Sequence, residues 1–237
     1  LNSTLGSVVH ALVAESSTSE GHLVAQLEEV WAALPFDSPW YAANELERHR
    51  AMLSAFVAWR AATRHELTEV GTEVALDGVL VAPADGLPGV RIRGRIDRLE
   101  RDAQGRLVVV DVKTAKSPVT KDDAQQHAQL GLYQLAVSAG LLDGVNQPGV
   151  DQPGGDQPGG GRLVYVGKAV AAGGATEREQ SVLGPEDMVQ WSQTVRGAAA
   201  ATAGPTFAAR VNDGCSHCPI RPTCPAHTAP SGTAEPS

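Results

Sequence analysis

The segment 106–113 constrains the fold of this chain more than any other part of its sequence. Its run Leu-Val-Val-Val-Asp-Val-Lys is rich in β-branched residues and predicts a buried strand. Alternate residues of a strand lie on the same face. Asp111 and Lys113 therefore emerge side by side at the end of an otherwise apolar strand. A surface salt bridge is the common explanation of such a pair, and only its sequence context indicates another.

The rest of the chain passes from helices to strands and back. Helical periodicity covers the first 66 residues, and Ser38-Pro39 predicts a helix start, with serine as the N-cap. Strand-like segments follow at 71–81, 90–100, 106–113, 162–168 and about 177–183, and further helices are predicted from Asp122 to about Ala139 and over 185–203. This order predicts an α/β fold with a central mixed sheet flanked by helices.

We expect one domain over residues 1–228, made of a helical segment (1–70), an α/β core (71–183) and a helix with a cysteine cluster (184–228). Two copies of Asp-Gln-Pro-Gly-Gly predict a disordered insert over 145–161, because so polar a stretch cannot build a core. Residues 229–237, rich in Pro, Ser and Thr, predict a flexible tail.

The formal net charge is −8, which argues against a nucleic-acid binder. Between Arg91 and Lys116, however, eight basic residues stand against four acidic ones. That stretch is either a solvated strand face or a local basic surface. No apolar run approaches the roughly 18 residues of a membrane span. The first residues do not form a signal peptide and read as the start of a fragment, so we expect a cytoplasmic protein without a membrane partner.

A second acid, Asp97, precedes the 101–105 segment, which predicts a hairpin turn between strands 90–100 and 106–113. If the hairpin is symmetric about Ala103, residue 97 pairs with 109 and Asp97 is a same-face diagonal neighbour of Asp111. Two close carboxylates repel each other, and a divalent cation such as Mg²⁺ relieves the repulsion. Such a cation can activate water at a scissile phosphate. Lys113 can either stabilise the negative charge of the pentavalent transition state or help to deprotonate the water.

All three cysteines lie near the C-terminus, in the spacing C-x2-C-x5-C: Cys215, Cys218 and Cys224. An odd number of closely spaced cysteines is a poor disulfide framework and favours a metal or cluster site in a reducing compartment. Zinc, with His217 or His227 as a fourth ligand, and an iron–sulfur cluster are both consistent with this spacing.

Four motifs in order resemble the RecB-type branch of the PD-(D/E)XK nucleases, over roughly residues 5–225. They are Gly6-x-x-x-His10 on an early helix, Gly94-Arg95-Ile96-Asp97, Asp111-Val112-Lys113-Thr114, and Gln129-x-x-x-Tyr133. The resemblance implies a restriction-endonuclease-like sheet. It also implies a set of site residues: Asp97, Asp111, Lys113, Gln129 and Tyr133 as catalytic, and His10, Asp97, Asp111 and Val112 at the metal. Glu73, in the first strand, is either another acid near the site or a structural or surface residue, and we favour the second interpretation.

The resemblance is strongest to the C-terminal nuclease domains of helicase–nucleases of the AdnAB and AddAB type. It implies an Mg²⁺- or Mn²⁺-dependent nuclease of exonuclease mode that acts on single-stranded DNA during break resection, beside motor domains and a partner subunit. It further implies a [4Fe–4S] cluster on the three cysteines, whose fourth ligand lies upstream of His10 and is missing from this chain. The alternatives are a catalytically silent DNA-binding module and a metal-stapled structural module.

Overall fold

A computed structural model describes residues 2–15, 19–82, 89–145, 157–170, 174–205 and 208–228. The chain divides into two compact units, residues 1–195 and 196–237. That residues 1–228 form one domain stays a prediction. The predicted flexible tail and residues 146–156 of the predicted insert lie outside the described residues.

The first unit contains a five-stranded sheet in the order β1-β2-β3-β4-β5. The strands are β1 (Leu67–Val81), β2 (Val90–Asp102), β3 (Leu107–Lys113), β4 (Pro158–Ala169) and β5 (Ala175–Gln180). β3 and β4 are parallel, and the other neighbouring pairs are antiparallel. The predicted mixed sheet is therefore confirmed.

Helices precede and interrupt the strands: α1 (Asn2–Val13), α2 (Glu20–Ala32), α3 (Pro39–Thr63), α4 (Lys121–Gln125), α5 (Ala128–Ser138), α6 (Pro185–Thr202) and α7 (Pro225–Thr228). Ser38 caps α3 as predicted, since its side chain accepts a hydrogen bond from the Tyr41 backbone N–H. The single helix expected from Asp122 is instead two helices, and Thr120 caps the first of them. None of the described helices is both long and apolar enough to cross a membrane.

The two faces of β3 are both covered, as its apolar sequence predicts. Val108, Val110 and Val112 pack in a core with residues of α1, α2 and α3. Leu107 and Val109 pack in a second core with residues of α5. Asp111 and Lys113 follow on the α5 side of the strand, so the end of β3 carries polar groups out of an apolar interior.

The β2–β3 hairpin has a different register from the predicted one. Leu99 pairs with Val109 and Arg98 with Val110. The turn is therefore centred on Gln104 rather than Ala103, and continuing the register places Asp97 opposite Asp111 instead of diagonal to it. The shift is two residues along the partner strand, so the two acids keep the same face.

β4 begins inside the range that was predicted to be disordered. Pro158 pairs with Leu107 and Gly161 with Val109. The prediction of disorder over 145–161 is therefore wrong for residues 158–161. Glycine suits the start of this strand, because a Cβ on Gly161 would lie 3.0 Å from side-chain atoms of Leu130 and Val109. A larger residue at this position would crowd both side chains.

A buried ion-pair network supports the hairpin on the α3 side. Arg98 and Glu100 are 1% and 0% exposed, and Arg98 Nε donates to Glu100 Oε1 at 2.5 Å. Arg98 also pairs with Glu69 of β1, and its guanidinium lies over the Phe56 ring, 5.7 Å from the centroid. Arg64 donates to the same Glu100 oxygen at 2.7 Å. Arg98, one of the eight basic residues of the stretch 91–116, is therefore structural and not part of an exposed basic surface.

Candidate active site

Asp97 lies where the β2–β3 ladder ends. Its Oδ2 accepts a hydrogen bond of 2.9 Å from the Val112 backbone N–H. The Asp97 side chain thus provides the acceptor where the backbone ladder of the two strands has ended. His10 of α1 approaches the same oxygen, with 3.4 Å between Nδ1 and Oδ2. The carboxylate raises the pKa of His10 above its ordinary value, against the lowering effect of burial. Three elements distant in sequence therefore meet at Asp97.

Asp111 is almost fully buried, at 3% exposure. Lys113 Nζ lies 2.7 Å from its Oδ2, and no hydrogen bond of regular geometry reaches that buried oxygen from the described residues. Burial raises the pKa of Asp111, which Lys113 opposes and Asp97 reinforces. The site thus contains a buried carboxylate whose charge is only partly compensated, which is a setting suited to a cation.

A chain of hydrogen bonds connects Lys113 to strand β2. Lys113 Nζ donates to Gln129 Oε1 at 2.9 Å, and Gln129 Nε2 donates to Tyr133 Oη at 3.3 Å. Tyr133 Oη then donates to the Arg95 backbone carbonyl at 2.7 Å. The four-residue spacing of Gln129 and Tyr133 on α5 makes this possible, because residues i and i+4 of a helix are neighbours. The helix fixes the direction in which the lysine points.

Glu73 of β1 lies beside Asp97 and His10, although its place in the sequence does not indicate this. It lies between the pairs Thr72–Arg98 and Val74–Ile96, and so opposite Asp97 on the neighbouring strand. Its φ of 50° is uncommon for a residue other than glycine. Its carboxylate contributes to the raised pKa of His10. Of the two interpretations given for Glu73, its position opposite Asp97 favours the acid near the site.

Two further residues near Lys113 carried no sequence signal. His127, which precedes α5, has a pKa lowered by burial and by the Lys113 charge. Gly167 of β4 faces the segment after Lys113, where a Cβ would come within 2.2 Å of the Thr114 carbonyl oxygen. Only a residue without a side chain lets β4 approach Thr114 so closely, which restrains the chain next to the lysine.

Comparison with known proteins identifies the family that has this arrangement. The sequence profile of the PD-(D/E)XK nuclease superfamily matches residues 1–225. The chain belongs to the PD-(D/E)XK nuclease superfamily. The solved structure described as "Crystal structure of SSO0001" is 17% identical, with a TM-score of 0.40, and the match covers 88% of this chain and 97% of that chain. No curated protein matches the sequence.

PD-(D/E)XK nucleases generally use a divalent metal ion, and the donors of this site suit one. The carboxylates of Asp97 and Asp111 are hard oxygen ligands, and His10 offers an imidazole nitrogen beside them. Within the described part of the chain, no three His, Cys, Asp or Glu side chains are spaced to enclose an ion by themselves. That result is compatible with Mg²⁺, which keeps several waters and uses only one or two carboxylates.

The cysteines lie in the second unit. Cys215 is part of the short 3-10 helix Asp213–His217, Cys218 follows that helix, and Cys224 follows a second 3-10 helix, Arg221–Thr223. None of the three forms a disulfide within the described residues, and all three are partly exposed. The Cys215 sulfur accepts from the Asn212 backbone N–H at 3.3 Å, which closes the first turn. The three side chains are not arranged as a group that could hold a metal ion in the described residues. Cluster binding at Cys215, Cys218 and Cys224 therefore stays a prediction.

Proposed function

We propose that this chain is a divalent-metal-dependent deoxyribonuclease that hydrolyses phosphodiester bonds of single-stranded DNA. The observation that carries the proposal is the placement of Lys113. Its ammonium lies 2.7 Å from the buried Asp111 carboxylate, and Gln129 holds it there. A surface salt bridge needs neither a buried acid nor a third residue to aim the lysine. Because the chain belongs to a nuclease superfamily, we interpret this geometry as that of a catalytic lysine.

Asp97 and Asp111 are the proposed carboxylate ligands of the metal ion, with His10 and the backbone of Val112 as further ligands. When bound, the ion supplies charge neutralisation at the scissile phosphate and lowers the pKa of a water molecule. The protein contributes a fixed frame. Asp97 is held by the Val112 N–H, and Asp111 is held within an apolar strand that excludes bulk water from one side of the site.

Lys113 has a role distinct from metal binding in this proposal. A lysine ammonium is a donor with no lone pair, so it does not ligate a cation. It places a positive charge where negative charge develops on the phosphate oxygens during hydrolysis. Gln129 and Tyr133 are positioning residues, because they touch Lys113 and the β2 backbone.

The order of the four motifs also supports a proposal about the process in which the nuclease acts. That order is typical of RecB-type nucleases, which supports exonuclease action on a strand delivered by a helicase during break resection and repair. The chain contains no phosphate-binding loop of the Gly-x-x-x-x-Gly-Lys-[Ser/Thr] type, so motor domains and a partner subunit would supply the unwinding. On this proposal the natural substrate is single-stranded DNA emerging from such a motor.

The variant Lys113→Met tests the assignment directly. We expect it to lower the turnover of single-stranded DNA cleavage by at least about a hundredfold, the usual loss for one electrostatic stabiliser of a transition state, while Mg²⁺ affinity measured by calorimetry changes little. Lys168→Met, which removes an exposed lysine of β4, is the matched control and is expected to leave turnover unchanged. Loss of Mg²⁺ binding in Lys113→Met would contradict the role given to this lysine.

For the cysteines, we propose that they supply three ligands of a [4Fe–4S] cluster, with zinc as the competing occupant. Three thiolates within ten residues suit either centre. We expect the natural full-length protein, purified anaerobically, to contain iron and sulfide and to absorb visible light. Cys218→Ser should lower both metal content and melting temperature. Stoichiometric zinc without iron would disprove the cluster, and the absence of both metals would disprove a metal site.

A further inference from the structure

A groove of about 510 Å³ runs beside the candidate active site, between α1 and the β1–β2 hairpin. His10 lines it, and the same His10 lies 3.4 Å from Asp97. The groove therefore opens at the metal-binding residues. Besides His10, the residues on this side are small: Ser7 and Ala11 of α1, and Ala14 directly after it. They leave room for a flexible polymer.

Arg95 forms the opposite wall of the groove together with Glu73. Its Nη1 donates to Glu73 Oε2 at 2.8 Å, yet the side chain remains 65% exposed. A guanidinium has five N–H groups in a fixed fork, so one ion pair leaves donors facing the groove. The fork matches the geometry of a phosphate group. Glu73 thus aims the arginine without using all of its donors.

The backbone of Arg95 is also coupled to the catalytic side. Its carbonyl accepts from Tyr133, which is linked through Gln129 to Lys113. The position of the arginine relative to the lysine is therefore fixed by hydrogen bonds across α5. A phosphate bound at Arg95 and a phosphate at Lys113 would be separated by a constant distance, as neighbouring phosphates of one strand require.

Arg95 is the last of three arginines that alternate along β2. Arg91, Arg93 and Arg95 are all exposed, and residues two apart in a strand are spaced about 6.6 Å along it. Asp77 pairs with Arg91 at 2.7 Å. The row ends at Asp97. It brings three guanidinium groups towards the site in a protein whose net charge is −8, and two of them, Arg91 and Arg95, are oriented by Asp77 and Glu73.

We propose that this groove is the path by which a single strand of DNA reaches the active site, with Arg95 binding a backbone phosphate next to the scissile one. The inference rests on the proposed nuclease function and names the substrate contact outside the reacting centre. Binding through phosphates is independent of base sequence. On this proposal the groove binds the DNA strand and sets which phosphate lies at the active site. The proposed metal ligands, Asp97 and Asp111, contribute to the hydrolysis itself.

Fluorescence anisotropy with a labelled oligothymidylate in Ca²⁺ tests the contact at Arg95. We expect Arg95→Gln to weaken binding about tenfold, as the loss of one charge-assisted hydrogen bond does, and to reduce the slope of log affinity against log salt by about 0.7. Arg50→Gln is the matched control, because Arg50 is an ion-paired arginine of α3 outside the groove. Equal binding by the two variants, with wild-type cleavage intact, would overturn the groove and leave the nuclease function standing.

Filling the groove is an independent test of the same path. Ala11→Trp places a large side chain on its exposed wall, and Ala61→Trp makes the same change at an exposed position of α3. We expect only the first to reduce oligothymidylate binding, by at least about tenfold, with the melting temperature of both unchanged. Undiminished binding by Ala11→Trp would overturn the path. Wild-type protein that neither binds nor cleaves the strand would instead disprove the proposed function.

Discussion

Asp111→Asn is expected to abolish Mg²⁺-dependent cleavage, with a loss of at least about a thousandfold in turnover, because a metal ion contributes several kcal/mol to transition-state stabilisation. The same substitution should not lower the stability of the metal-free protein. Burial raises the pKa of Asp111 in the folded state, so its ionised form disfavours folding. This destabilisation is absent at pH values below the pKa of Asp111 in the unfolded chain, and it grows as the pH rises through and above that pKa.

Two measurements on the same variant check these expectations. Turnover is followed on labelled single-stranded DNA, and thermal unfolding is recorded in EDTA at neutral pH and near pH 3. We expect the variant to be at least as stable as the wild type at neutral pH and the difference to vanish in acid. Cleavage at the wild-type rate would remove Asp111 from the active site. A large loss of metal-free stability would show that its carboxylate is structural.

The largest effect on stability is expected from Arg98→Met. Removing one partner of a buried ion pair leaves the other charge uncompensated and costs about 3–5 kcal/mol. Glu100 is fully buried and would retain only Arg64. Chemical denaturation of the variant measures the change in the free energy of unfolding. Arg106→Gln, at a half-exposed pair with Asp102, is the control and should cost no more than about 1 kcal/mol.

The double variant Arg98→Met/Glu100→Leu separates charge from packing. If the cost of the single change is an unpaired buried carboxylate, removing that carboxylate as well should recover a large part of the lost stability. The remaining partners, Arg64 and Glu69, are partly exposed and can be solvated. Additive losses in the double variant would mean that the network stabilises through its packing over Phe56 rather than through paired charge.

The strand alternation of β3 was predictable because it depends only on local geometry. Period two fixes which residues share a face, and Asp111 and Lys113 emerge together as predicted. The register of the hairpin was not predictable in the same way, since it depends on the turn. Asp102 Oδ1 accepts from the backbone N–H groups of Gln104 and Arg106, and Gly105 adopts a φ of 81°. These bonds move the centre of the turn by one residue.

Some features of the site could not be placed from the sequence, because they depend on contacts between residues distant in the chain. Glu73 reaches the site through pairing with β2, and its positive φ has no signature in an ordinary strand sequence. Gly167 matters only because β4 passes against Thr114, more than fifty positions away in the chain. The start of β4 was hidden because Pro158 lies inside the second copy of the Asp-Gln-Pro-Gly-Gly repeat. Composition identifies such a stretch as polar, whereas parallel pairing with β3 determines that its end is a strand.

The most direct test of the whole account is cleavage of 5′-labelled single-stranded DNA by the purified chain, compared in Mg²⁺, in Mn²⁺ and in EDTA. We predict shortened products that accumulate with either metal ion and are absent in EDTA, since the carboxylates of Asp97 and Asp111 need the ion to act. Products that form equally in EDTA, or no products with either ion, would contradict the proposal that this site hydrolyses DNA with a bound metal.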